Sequence, residues 1–170
     1  MAKNKRVSNI DIDQDLEFQD REWRVQHIGW VVIWVLLGAA LLGAFGKGPL
    51  AYAQASDPGQ ALTANYTRLE RYRAPTTIEV IVGPGQLQGG KVTLTFDRQF
   101  VDRIDIARVD PEPSAVKSDA NRIAYEFEVE DASAPVHIFI DYEFEHFGMS
   151  QAQLGLEGGP EIVLRQFVYP

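Results

Sequence analysis

A run of eighteen residues without a charge, Ile28–Phe45 (IGWVVIWVLLGAALLGAF), constrains this chain more than any other stretch. Extended to Gly46 it is long enough for a helix, at about 1.5 Å per residue, to cross a hydrocarbon core of about 30 Å. A globular domain of this size rarely buries so long an apolar helix, so the chain divides around it. The sequence before the run is short and charged. The sequence after it changes to a period of two, the mark of strands.

The flanks of the run read as those of a signal-anchor. In DREWRVQHIGW, Trp23 and Trp30 fall on one helical face, with Arg21, Arg24 and His27 at headgroup depth. Trp23, Arg24, Trp30 and Trp34 are therefore the expected membrane-anchor residues, since tryptophan and arginine collect at the bilayer interface. Met1–His27 carries five Lys/Arg, whereas the first twenty residues after Phe45 carry only Lys47. That asymmetry puts the N-terminus in the cytoplasm and the remainder outside it, in the periplasm if the cell is Gram-negative. A cleaved signal peptide is the alternative, because Ala51-Tyr52-Ala53 before Gln54 has the small-x-small pattern of a cleavage site. The run exceeds a usual h-region of about 7–15 residues and the acidic 27-residue front is unlike a basic n-region, which favours a retained anchor. Ala39-xxx-Gly43 has the small-residue spacing that lets a second helix approach closely.

The organisation that follows is a disordered cytoplasmic arm over 1–20, an interfacial segment and transmembrane helix over 21–46, a linker over 47–61, and a β domain over 62–170. Gly46-Lys47-Gly48-Pro49 ends the helix, because proline cannot continue it. The expected strands are Leu62–Arg73, Thr76–Val82, Lys91–Phe96, Asp102–Val109, a short Ala115–Lys117, Arg122–Glu130, Val136–Phe147, Met149–Leu156 and Glu161–Tyr169. Such a series of short strands predicts a mainly β fold, an antiparallel immunoglobulin-like β-sandwich, with a small barrel as the alternative. Arg122–Glu130 and Val136–Phe147 are expected to pair as a hairpin. Its apolar faces match with Phe127 opposite Ile138, Arg122 opposite Glu143 and Glu128 opposite His137, a register that keeps Glu126 from facing Asp141.

Composition narrows the function classes. A net charge of −8 argues against nucleic acid, which requires a basic footprint. The absence of cysteine removes disulfides, thiolate metal sites and a cysteine nucleophile. No nucleophile-elbow motif accompanies His137 or His146, and Gly83-Pro84-Gly85 lacks the Lys-Ser/Thr and helix of a phosphate loop, so an enzyme is not expected. Six carboxylates (Glu126, Glu128, Glu130, Asp141, Glu143, Glu145) are expected on one hairpin face. Flat strands splay their ligands, so neutralisation by Arg103, Arg108 or Arg165 is preferred to a Ca²⁺ site. His137, His146 and Met149 form the one conceivable soft-metal set. No cofactor is expected.

Arg68, Arg71 and Arg73, with Tyr66 and Tyr72, lie soon after the linker and are expected to meet anionic headgroups or an acidic partner. The sequence thus describes a membrane-anchored accessory or scaffold subunit. Its expected partners are the lipid bilayer and either an integral membrane protein or further copies of itself. The alternative is an extracytoplasmic module that binds a divalent metal or small ligand, released by cleavage near Ala53.

Overall fold

The computed structural model describes residues 16–41, 48, 51–86, 90–129 and 133–170. Most of the expected arm, Gly43 of the small-residue pair, Gly46, Lys47 and Pro49 of the expected helix stop, and Glu130 lie outside the described residues. Two compact units are present, an N-terminal helix and a β unit.

The helix, α1, spans Leu16–Leu41. It begins inside the stretch expected to be disordered, where Leu16, Glu17 and Gln19 are all good helix formers. Its Glu22–Leu41 portion is long and apolar enough to cross a membrane, and none of that window is buried in the protein. Trp30, Trp34 and Leu36 are 54%, 65% and 52% exposed.

In the β unit, period-two alternation produces eleven strands among the described residues. They are β1 (Tyr52–Ser56), β2 (Leu62–Thr67), β3 (Leu69–Arg71), β4 (Thr76–Val82), β5 (Lys91–Asp97), β6 (Ile104–Asp110), β7 (Ala115–Ser118), β8 (Arg122–Glu128), β9 (Val136–Phe144), β10 (Gly148–Leu156) and β11 (Glu161–Tyr169). A five-stranded sheet has the order β1-β2-β4-β9-β6, and a six-stranded sheet the order β3-β11-β10-β5-β8-β7. All pairings are antiparallel except β3 with β11. Ile78, Val80, Ile138, Ile140 and Phe144 from the first sheet meet Leu94, Phe127, Leu154, Leu164 and Val168 from the second in one buried cluster. Both sheets have open edges, so they do not close as a barrel.

A one-turn helix, α2 (Arg98–Val101), joins β5 to β6 and drops Phe100 into that core. Asp97 caps it by accepting a hydrogen bond from the Phe100 N–H at 3.2 Å. Its other carboxylate oxygen accepts from the Gln153 N–H of β10 at 2.7 Å. Phe100 lies 5.9 Å from the Tyr142 ring and 6.2 Å from those of Phe96 and Phe144, within the range of favourable aromatic pairs.

The structure corrects three expectations. Tyr52–Ser56, taken as linker, is an edge strand paired with β2 from Tyr52↔Thr67 to Ser56↔Thr63. Small residues Ala53 and Ala55 fit its partly buried inner face. Leu62–Arg73 is two strands, because the chain crosses from one sheet to the other at Arg68.

The third correction is the hairpin. β8 pairs with β5 and β7, whereas β9 pairs with β4 and β6. Phe127 and Ile138 are both fully buried, yet they come from opposite sheets. Each strand's apolar face is therefore as expected, but the two faces meet across the core. Arg122 pairs with Glu161 at 2.7 Å, not Glu143. His137 meets Glu79, not Glu128.

Candidate functional site

On the outer face of the five-stranded sheet, alternation leaves Gln54 of β1, Asn65 of β2, Glu79 of β4 and His137 of β9 pointing away from the core. They form one hydrogen-bonded ladder across four strands. Gln54 Nε2 donates to Asn65 Oδ1 at 3.0 Å. Asn65 Nδ2 donates to Glu79 Oε2 at 2.9 Å, and His137 Nδ1 lies 3.0 Å from Glu79 Oε1. The direction is imposed by Glu79, because a carboxylate only accepts, so Asn65 must offer it N–H and turn its carbonyl to Gln54. The Asn65 N–H, followed by His137, holds the Glu79 carboxyl below its ordinary pKa. A groove of about 570 Å³ runs over Gln54, Asn65 and Glu79 of the ladder, with Tyr52 and Phe139 also among its lining residues. Polar groups held in place between aromatic side chains suit a polar small molecule.

The second concavity, about 720 Å³, lies on the six-stranded sheet, lined by Gln99, Asp102, Arg103, Met149, Ser150, Gln151 and Arg165. Strand register places Gln151 of β10 beside Arg165 of β11, and Met149 beside Phe167. Arg103, in the turn after α2, donates from Nη1 to the Met149 carbonyl at 3.4 Å. Asp102 is drawn to Arg98 at 3.5 Å. The Ser150 hydroxyl is buried with no hydrogen-bond partner among the described residues.

The residues singled out in the sequence are distributed as follows. Arg68 and Arg71 are exposed beside β11, and Arg73 lies with its guanidinium carbon 5.4 Å from the Tyr72 ring centre. Trp23, Trp30 and Trp34 are exposed on α1, with the Trp23 ring 4.2 Å from that of His27. The single acidic face does not exist: Glu126 and Glu128 belong to the six-stranded sheet, Asp141 and Glu143 to the other. Glu126 is neutralised by Lys91 and by Lys117 at 3.1 Å, which push its pKa down, rather than by the arginines expected.

The soft-metal set is not assembled either. His137 is committed to Glu79, and His146 lies beyond the end of β9 in a turn rather than on that strand. Among the described residues no three His, Cys, Asp or Glu side chains are grouped to hold a metal ion. Sequence reasoning passed over Gln54, Asn65 and Glu79. Glu79 carried a signal nonetheless, as the only charge in the otherwise apolar and threonine-rich TTIEVIV.

No family model, no curated protein and no solved structure matches this chain. The functional reading therefore rests on the geometry of the helix, the two grooves and the basic residues around β3.

Proposed function

We propose that this chain is a single-pass, membrane-anchored accessory or scaffold subunit whose extracytoplasmic β-sandwich contacts a membrane-protein partner. The observation that carries the proposal is α1, whose Val, Ile, Leu and Trp side chains from Ile28 to Leu37 are each at least half exposed. Burying one such aliphatic side chain is worth about 1.5–3 kcal/mol, so a bilayer is a far better environment for this helix than water. The lysine and arginine asymmetry supports an N-terminus in the cytoplasm. The two mainly antiparallel sheets over one core support the immunoglobulin-like class of sandwich.

Strand β1 supports retention of the anchor. Cleavage after Ala53 removes Tyr52↔Thr67 and Ala53↔Tyr66 from the β1–β2 pairing. It also removes the fully buried Ala51, whose carbonyl accepts from the Arg68 N–H at 2.6 Å. A processing site inside a paired strand makes poor physical sense.

Native mass spectrometry of the protein extracted from its own membranes in mild detergent tests the reading. The expected species is the full-length chain bound to a second membrane protein. A lone chain beginning at Gln54 overturns it. Orientation is checked separately, because a chain without cysteine accepts a single reporter. In intact cells an impermeant maleimide is expected to label E128C and to spare K5C.

The ladder of Gln54, Asn65 and Glu79 favours a second reading, a binding module for a polar small molecule. A thermal shift with neutral polyols or sugars that disappears in N65A supports it. The metal version predicts a shift with Ca²⁺, Cu²⁺ or Zn²⁺, and no shift with any of them removes it.

A further inference from the structure

The outer face of the six-stranded sheet changes character at its β3 edge. Register aligns Leu69, Phe167 and Met149 in one row across β3, β11 and β10. Phe167 and Met149 are 43% and 67% exposed, and Phe147, just before β10, is 68% exposed. The Phe147 ring packs edge-on to Tyr72 at 6.5 Å. So contiguous an apolar strip on an exposed sheet face calls for a partner.

Arginines surround this strip. Arg71 flanks it on β3, Arg165 on β11, and Arg103 reaches it through the Met149 carbonyl. Arg68 and Arg73 lie at the two ends of β3. None of these five guanidinium groups has a carboxylate within 4.0 Å among the described residues, whereas Lys91, Arg98, Arg108, Lys117 and Arg122 all do. These five arginines thus lie around one apolar-centred surface, and the one carboxylate lining the concavity that Arg103 and Arg165 share with Met149, Asp102, is paired with Arg98.

The point where the chain enters the domain coincides with that surface. The Arg68 N–H donates to the Ala51 carbonyl at 2.6 Å, and the Arg68 carbonyl accepts from the Phe167 N–H at 2.7 Å. Ala51 follows Leu41, the last described residue of α1, by ten positions, a separation of at most about 35 Å. A domain tethered so closely to a membrane span has the bilayer as its most constant neighbour.

We propose that the Arg-rimmed row Leu69–Phe167–Met149 docks on the anionic headgroups of the bilayer that α1 spans, with the arginines on phosphates and Phe147, Met149 and Phe167 at the acyl boundary. The proposal rests on the anchored reading. Basic and aromatic side chains together suit an anionic lipid surface, because each supplies a different part of the attraction. An acidic protein surface would take the arginines but leave the exposed phenylalanines in contact with charge.

The test uses the full chain in vesicles, with one nitroxide label on M149C and, in a separate sample, on V116C of the far edge strand β7. With about a third phosphatidylglycerol, the label at 149 is expected to become accessible to oxygen and shielded from an aqueous nickel chelate, while the label at 116 stays aqueous. In phosphatidylcholine alone, or in high salt, the shielding at 149 is expected to fall. R68Q and R165Q are each expected to lower the docking equilibrium constant about fivefold at low salt, with the label at 116 unchanged.

A label at 149 that stays aqueous in both lipids, on a chain that still co-floats with the vesicles, overturns the docking and leaves the anchor standing. Failure to co-float overturns both. Shielding that ignores lipid charge and grows with the protein-to-lipid ratio overturns the lipid assignment in favour of a second copy.

Discussion

Gln166 is a polar side chain buried between the two sheets at 2% exposure. Its Nε2 donates to the Thr67 carbonyl at 2.9 Å and to the Tyr142 hydroxyl at 2.8 Å, so one buried amide ties β11 to two strands of the other sheet, β2 and β9. Burial pushes the Tyr142 phenol far above its ordinary pKa, and an ultraviolet titration should leave it protonated until the protein unfolds. Q166L leaves the buried Tyr142 hydroxyl and the half-buried Thr67 carbonyl without this partner, and urea unfolding should show a loss of about 1–3 kcal/mol. Glu79 makes a different prediction. Its folded-state pKa lies below the ordinary 4.5, so the folded state binds fewer protons there than the unfolded chain. The stability it contributes is present above that value and lost as pH falls through the folded pKa. E79Q should therefore flatten the stability profile across that acidic window, lowering stability near neutrality and changing little below the folded pKa, where Glu79 is already protonated.

At the scale of elements, alternation told which face each strand buries but not which strand lies beside it. Phe127 and Ile138 show why: burial is satisfied equally by a neighbour in the same sheet and by one across the core. The like-charge argument at Glu126 had the same blind spot, since Lys91 and Lys117 arrive from β5 and β7, strands that local pattern does not connect to it. The break at Arg68 was hidden because Leu62–Arg73 keeps its polarity while changing sheets. Strand β1 was hidden because its alanines and polar residues resemble a linker. Two predictions belong here. F100A removes a 1% exposed ring from between Phe96, Tyr142 and Phe144, and should cost about 3–5 kcal/mol. A fragment starting at Gln54 should melt below one starting at Gly48, because it lacks Ala51 and two β1 pairings; equal melting temperatures would show that the first half of β1 contributes nothing.

At the scale of the whole molecule, the helix was the most legible part of the sequence, because eighteen consecutive uncharged residues have few soluble uses. The grooves were the least legible, since they depend on strand order. The membrane reading makes one decisive prediction. Leu36 lies well inside the Glu22–Leu41 span and is 52% exposed, so in water an arginine there is harmless and even favourable. In a bilayer the same change costs about 2.5–3.5 kcal/mol at the helix centre. Alkaline carbonate extraction separates the two environments. The native chain should remain in the membrane pellet, and L36R should move substantially into the supernatant. R24Q serves as a contrast, because an interfacial arginine already reaches water and its loss should barely change the partition. If native and L36R chains are both soluble after extraction, α1 is no anchor, and the β unit must then be understood as a free domain whose ligand groove along Gln54, Asn65 and Glu79 becomes its main surface.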